Sequence, residues 1–307
     1  MSNGMAISSE FPYQSKYINV LGSKIHYVEE GAGQPILFLH GMPATNYTWR
    51  NVIPYLAKYG RCIAPDLIGM GLSDKPNIAY RIFDHIQYIE EFINALALKN
   101  ITLVMHGFGS IIGFDYAMRH EKNIQALVFF ESHIRPLNHF DELSLPEQEL
   151  MAGLRSFDRG FKALAGGVNI IQRLLCMCTM RKLKEDEMQH YLCNCDSALA
   201  MKPIEQFLKE YPHEHGPSDV LNLIKEYSQK LEQSRLPKLM FYAVPGFNTT
   251  IDTVVWARDH LTNLTLEDLG EDMHFMQETH PHAIGEKILQ WLAEKPQVVG
   301  GVGPAVV

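Results

Sequence analysis

LVMHGFGSIIGF, Leu103 to Phe114, carries the reading of the fold. Ile101–Met105 is apolar but for Thr102, the pattern of a strand covered on both faces. His106-Gly107-Phe108-Gly109 follows as a sharp turn, and helical spacing takes over through Ser110–Arg119. A strand that turns straight into a helix forces its apex residue to a positive φ, and such an apex is where many enzymes present an attacking atom. Here the apex is Gly107, which has no side chain to attack with.

Working outward, the same alternation continues on both sides. Tyr17–Val20 and Ile25–Glu29 read as an antiparallel opening around the turn Leu21-Gly22-Ser23. Pro35–Leu39 is a buried strand. Asn46 to Tyr59 has helical spacing, with Trp49, Ile53, Leu56 and Ala57 on one side. Arg61–Pro65 is the next strand, Phe83–Leu98 the next helix, and Ala126–Phe130 a strand again. Strand and helix in this rhythm predict a mostly parallel α/β sheet with crossover helices on its faces.

The rhythm breaks after Glu131. From about Pro136 to Ser234 the pattern is helical, polar, and rich in Met, Cys and Lys. It resumes at Lys238–Tyr242, runs through Leu264–Leu269 and closes on the helix Ala283–Ala293. The expectation is a discontinuous core, residues 10–136 and 236–295, with residues 137–235 as a helical cap over a site. Residues 296–307, rich in Gly and Val, read as a disordered tail.

Composition narrows the function. Of 307 residues, 46% are hydrophobic and 20% charged, ordinary for a large globular core. A net charge of -8 disfavours nucleic acid or an anionic membrane as partner. No apolar run reaches the ~20 residues that span a bilayer. The polar start Met1–Met5 lacks the pattern of a signal peptide, so the chain reads as reduced, soluble and cytoplasmic. Cys176/Cys178 and Cys193/Cys195 form two close pairs. A C-x-C pair is a weak metal signature, and buried thiols are the plainer reading.

Three further stretches join the turn at Gly107. LFLHGMPATNYTWR (Leu37–Arg50) follows a buried strand, APDLIGMGLSDKP (Ala64–Pro76) ends the next one, and DMHFMQETHPHAIGEKILQWL (Asp272–Leu292) sets a histidine before the final helix. Together with VFFESHIRP (Val128–Pro136), they resemble the α/β-hydrolase fold, and within it the haloalkane dehalogenases. The resemblance covers all but the interior of the cap, and it implies no metal and no cofactor. It places His274 as the catalytic base and Glu131 as the acid that orients it. Such a pair suits base chemistry, because a carboxylate on the far nitrogen fixes the tautomer and stabilises the imidazolium. Asp252, after the following strand, is the lesser alternative for the acid.

The departures are as informative. Dehalogenases carry an aspartate nucleophile where this chain has Gly107, a halide-holding asparagine where it has Met42, and a halide-holding tryptophan where it has Phe108. All three side chains are gone, a pattern of natural divergence rather than of one trapping substitution. Gly107 relieves backbone strain and vacates a side-chain volume. The oxyanion donors of this fold are backbone N–H groups, expected from Met42 and Phe108, and substitution removes neither. His106 is expected to point away from the cavity. Ser110 is a rival nucleophile whose plainer role is a hydrogen bond near the helix start. Met42, Phe108, Met151, Phe157, Phe161 and Met177 suit an apolar cavity, and Tyr191, Tyr211 and Tyr227 are candidate proton donors of the cap.

These residues point to an enzyme that has abandoned covalent catalysis and acts on a small apolar metabolite. Its reaction would be water-activated hydrolysis, or else elimination, isomerisation or cyclisation of the kind found in specialised biosynthesis. The rival readings are a ligand-binding protein without turnover and a hydrolase using an unrecognised nucleophile. The oligomeric state is not readable.

Overall fold

The computed structural model describes residues 6–137, 139–153, 170–193, 197–214 and 216–294. Eight strands form one sheet: β1 (Lys16–Val20), β2 (Ser23–Glu30), β3 (Pro35–Leu39), β4 (Arg61–Pro65), β5 (Ile101–Gly107), β6 (Ile124–Ser132), β7 (Lys238–Pro245) and β8 (Leu264–Asp272). Their spatial order is β1-β2-β4-β3-β5-β6-β7-β8. The first two pairings, β1 with β2 and β2 with β4, are antiparallel, and the rest are parallel. This is the α/β architecture expected from the strand–helix rhythm.

Side-chain alternation splits the core into two layers. Leu37, Leu39, Leu103, Met105, Leu127 and Phe129 face one layer. Their strand neighbours Ile36, Phe38, Val104, Val128 and Phe130 face the other, where the C-terminal helix Pro281–Glu294 adds Ile284, Ile288 and Trp291. Both layers are closed over the central strands, which explains the continuous apolar runs.

One expected element is corrected. The helix read over Asn46 to Tyr59 is instead a 3-10 turn, Asn46–Trp49, and a separate short helix, Ile53–Leu56. Pro54 has no N–H to give the carbonyl of Arg50, and its ring crowds that carbonyl, so one helix cannot run through. Between β6 and β7 the described residues hold helices Leu145–Gly153, Ile170–Met177, Glu185–Leu192, Ala198–Lys209 and Ser218–Gln233. Phe157, Phe161, Cys195 and the tail 296–307 lie outside the described residues. No helix among the described residues is long and apolar enough to cross a membrane.

Candidate active site

The elbow is built by close approach. Gly107 ends β5 at φ 52°, ψ -126° and leads directly into the helix Phe108–Arg119. A Cβ at Gly109 would stand 2.5 Å from the Leu39 carbonyl oxygen, so only glycine lets this helix seat against β3. On the neighbouring strand His106 pairs with Phe130 and Gly107 with Ser132. Glu131 is therefore the extra residue of a β-bulge, at φ 47°. A bulge re-aims a side chain and often sits beside a functional site.

Glu131 is fully buried and meets His274 across the end of the sheet. Its Oε2 lies 3.0 Å from His274 Nδ1. The same oxygen accepts the N–H groups of Asn248 at 2.6 Å and Phe247 at 3.1 Å, and Oε1 accepts Phe247 at 3.2 Å. Burial raises the Glu131 carboxyl above its ordinary range, while the backbone donors around it hold the ionised form. Burial also holds the His274 imidazole down to about 3, so it is neutral at pH 7. Ringed by these N–H donors, the carboxylate accepts the Nδ1–H hydrogen bond of His274, which leaves the Nε2 lone pair free.

That lone pair is aimed at the apex. A Cβ built on Gly107 would lie 3.0 Å from His274 Nε2 and 3.2 Å from Cε1. The imidazole thus stands at the edge of the volume that an attacking side chain would fill. Gly41 Cα is 3.5 Å from the same point, which brings the loop after β3 alongside the elbow.

His106 has a part that its strand position did not reveal. It points below the elbow, and its Nε2–H donates to the His274 carbonyl at 2.9 Å. The two rings lie 4.3 Å apart, centroid to centroid. Burial holds His106 well below its ordinary pKa, so it supports the His274 loop as a neutral imidazole. The insert grips the same loop from the other side: the Cys178 carbonyl accepts the N–H groups of His274 and Phe275, both at 3.1 Å.

The cavity in front of His274 is walled by Met42, Pro43, Leu150, Leu174, Phe207 and Leu208, with Tyr211 and Asn248 as its polar side chains beside the histidine. The free volume among these side chains is about 30 Å³, room for one or two waters. The side chain of Phe108 is packed against His85 and Phe207 instead of lining it. Met151 is core, and Met177 is exposed, a correction to its expected place in the cavity: it ends its helix on the solvent side.

The remaining candidates sort by their bonds. Ser110 Oγ donates to the Gly107 carbonyl at 2.6 Å and accepts the His133 N–H at 3.0 Å, the structural role expected at a helix start. Asp252 is exposed in the first turn of the helix Ile251–His260 and has no bond to His274. Tyr227 donates to the His133 carbonyl. Tyr191 donates to Glu278, inside a buried ionic cluster missed in the sequence. There Arg50 reaches Glu278 at 2.5 Å and Glu187 at 2.9 Å, and Arg181 reaches Glu187 at 2.7 Å and Glu278 at 2.6 Å. Only Tyr211 of the three tyrosines lines the cavity. Cys62 and Cys178 are buried free thiols, Cys176 is an exposed one, and Cys193 is exposed.

A mostly parallel sheet, a glycine elbow after β5, an acid at the end of β6 and a histidine after β8 define an α/β-hydrolase fold. The sequence profile of that fold family matches residues 34–281. The chain belongs to it, and within it stands close to the haloalkane dehalogenases. The enzyme of that name from Mesorhizobium japonicum is 36% identical over 280 residues, 90% of this chain and 90% of the relative. The one from Sphingobium indicum is 34% identical over 287 residues, 90% of this chain and 94% of that one. Among solved structures, haloalkane dehalogenase DbeA from Bradyrhizobium elkani superposes with a TM-score of 0.87 at 32% identity, covering 91% of this chain and 97% of that one. An ancestral haloalkane dehalogenase gives 0.86 at 35% identity, over 91% and 98%.

Proposed function

We propose that this protein is a cofactor-independent enzyme in which His274 acts as a base on a small, largely apolar metabolite, with no covalent intermediate. The observation that carries the reading is the 3.0 Å gap between His274 Nε2 and the empty Cβ position of Gly107. A base held by Glu131 at 3.0 Å faces a place where no nucleophile stands. Covalent displacement needs an attacking atom there. Proton abstraction needs only the base and a substrate pressed against it. Negative charge developing on the substrate would be received by the backbone N–H groups of Met42 and Phe108, the oxyanion position of this fold. With no aspartate, asparagine or tryptophan at positions 107, 42 and 108, haloalkane dehalogenation is not the reaction.

5-Nitrobenzisoxazole tests the base directly. It is a flat apolar bicycle whose ring opens when a base removes one C–H proton. The expected result is turnover above buffer that falls at least about a hundredfold in His274→Ala. Haloalkanes, epoxides and esters, followed by intact-protein mass spectrometry, are expected to leave no adduct. Turnover indifferent to His274, or a covalent adduct, refutes the proposal. Saturable binding of the probe with no turnover in either protein makes it a binding protein instead.

A further inference from the structure

The cap side of the cavity holds a second polar arm that the base reading does not use. Tyr211 is buried, follows the helix Ala198–Lys209, and turns its hydroxyl to Glu147 on the helix Leu145–Gly153. Glu147 is also buried, and its Oε2 accepts the Ser144 N–H at 2.9 Å. Among the described residues no lysine or arginine pairs with it. A buried carboxyl without a cation is expensive to keep and contributes little to packing. Burial pushes it up to about 8, so it carries its proton at neutral pH.

Asn248 ties this arm to the base. Its side-chain Nδ2 donates to the Tyr211 hydroxyl at 2.9 Å, while its backbone N–H donates to Glu131 Oε2 at 2.6 Å. His133 Nε2 lies 3.0 Å from the same Nδ2. Tyr211 and His274 thus share one otherwise apolar cavity and are braced through one residue.

We propose that Tyr211 is a second proton-transfer group of this site, with Glu147 as its positioning residue, and that the substrate carries a hydroxyl or carbonyl oxygen on the cap side. The inference rests on His274 being the base. It selects among the reactions open to that base: a site that takes a proton on one wall and returns one on the other suits isomerisation, ring closure or elimination. In the step, His274 Nε2 takes a proton from carbon, and the C–H pair forms the new π bond. The displaced pair moves onto oxygen, which takes the Tyr211 proton. Glu147 reprotonates Tyr211, and the proton on His274 returns to Glu147 through solvent, so nothing is oxidised or consumed.

Two probes that differ only in their leaving oxygen separate this from the base reading. Opening of unsubstituted benzisoxazole builds more charge on a more basic oxygen than opening of the 5-nitro compound, and needs a donor more. Tyr211→Phe is expected to lower kcat/KM for the unsubstituted probe about tenfold more than for the nitro probe. Glu147→Gln should move the ratio in the same direction, and His274→Ala should remove both rates alike. The double variant Tyr211→Phe/Glu147→Leu, which leaves no carboxyl stranded, should reproduce the ratio of the single tyrosine variant. Equal losses for the two probes, or none, with dependence on His274 intact, overturn the role of Tyr211 and leave the base standing. Rates indifferent to His274 overturn both.

Discussion

Replacing Gly107 by alanine adds one methyl group at the point on which the site turns. The backbone there stays at φ 52°, ψ -126°, outside the regions that suit an L-residue. Holding a side chain at such a position costs about 1–3 kcal/mol. The new methyl would also meet His274 Nε2 at 3.0 Å, a few tenths of an ångström too close. The ring has little room to retreat. Its Nδ1 is tied to Glu131 at 3.0 Å and its backbone N–H to the Cys178 carbonyl at 3.1 Å. At roughly 2–4 °C per kcal/mol for a large domain, the melting temperature should fall by roughly 2–12 °C. Because 1 Å of misplacement is worth about a hundredfold in rate, a retreat of half that should slow 5-nitrobenzisoxazole opening roughly tenfold. Differential scanning calorimetry and initial rates measure the two effects. An unchanged melting temperature with an unchanged rate would refute the claim that the imidazole borders the vacated apex.

Glu131→Gln swaps the carboxylate for an amide whose NH2 meets the Phe247 N–H from the Oε1 place, or those of Phe247 and Asn248 from the Oε2 place. Turnover of the probe should fall about a thousandfold or more, since a neutral amide neither fixes the tautomer nor stabilises imidazolium. Arg50→Met leaves the buried carboxylates of Glu187 and Glu278 with Arg181 alone, and guanidinium unfolding should show a loss of about 3–5 kcal/mol. Stability should peak near pH 6.5. His274, His133 and His85, held down to about 3 by burial, resist protons that the unfolded chain takes up below 6.5, so acid destabilises the fold. Glu147, pushed up to about 8, keeps a proton that the unfolded chain releases above 4.5, so its contribution is lost as pH rises toward 8. Between 4.5 and 6.5 the three histidines outweigh this one carboxyl, and above 6.5 the carboxyl acts alone. Thermal melts from pH 4 to 9 check the shape, and a peak above pH 8 would contradict it.

How much of this was legible depends on the range of the interactions involved. Strand β3, and β4 past Arg61, match the sequence reading because two-sided burial writes itself as an unbroken apolar run. The elbow was legible because glycines at 107 and 109 have no other reason to follow such a run so closely. Glu131 was readable as the end of a strand, but not as the bulged residue, since a bulge depends on the register of a partner strand. His106 was expected to face away, and it does. Its bond to the His274 carbonyl bridges distant parts of the chain and leaves no local trace. The same holds for Arg50 with Glu187 and Glu278, and for Glu147 with Tyr211 and Asn248. Each is a charged or polar residue that reads as surface until the fold surrounds it. Proline 54 was visible, and its power to split a helix was the local signal that the periodicity of Asn46 to Tyr59 concealed.

The hydrogen bonds from His274 and Phe275 to the Cys178 carbonyl have a practical meaning for anyone reshaping this protein. The polypeptide that roofs the chamber also clamps the segment that delivers the imidazole. Grafting a roof from a relative would therefore re-aim the His274 ring at the same time. Lining and imidazole are mechanically one part here, and they move only together.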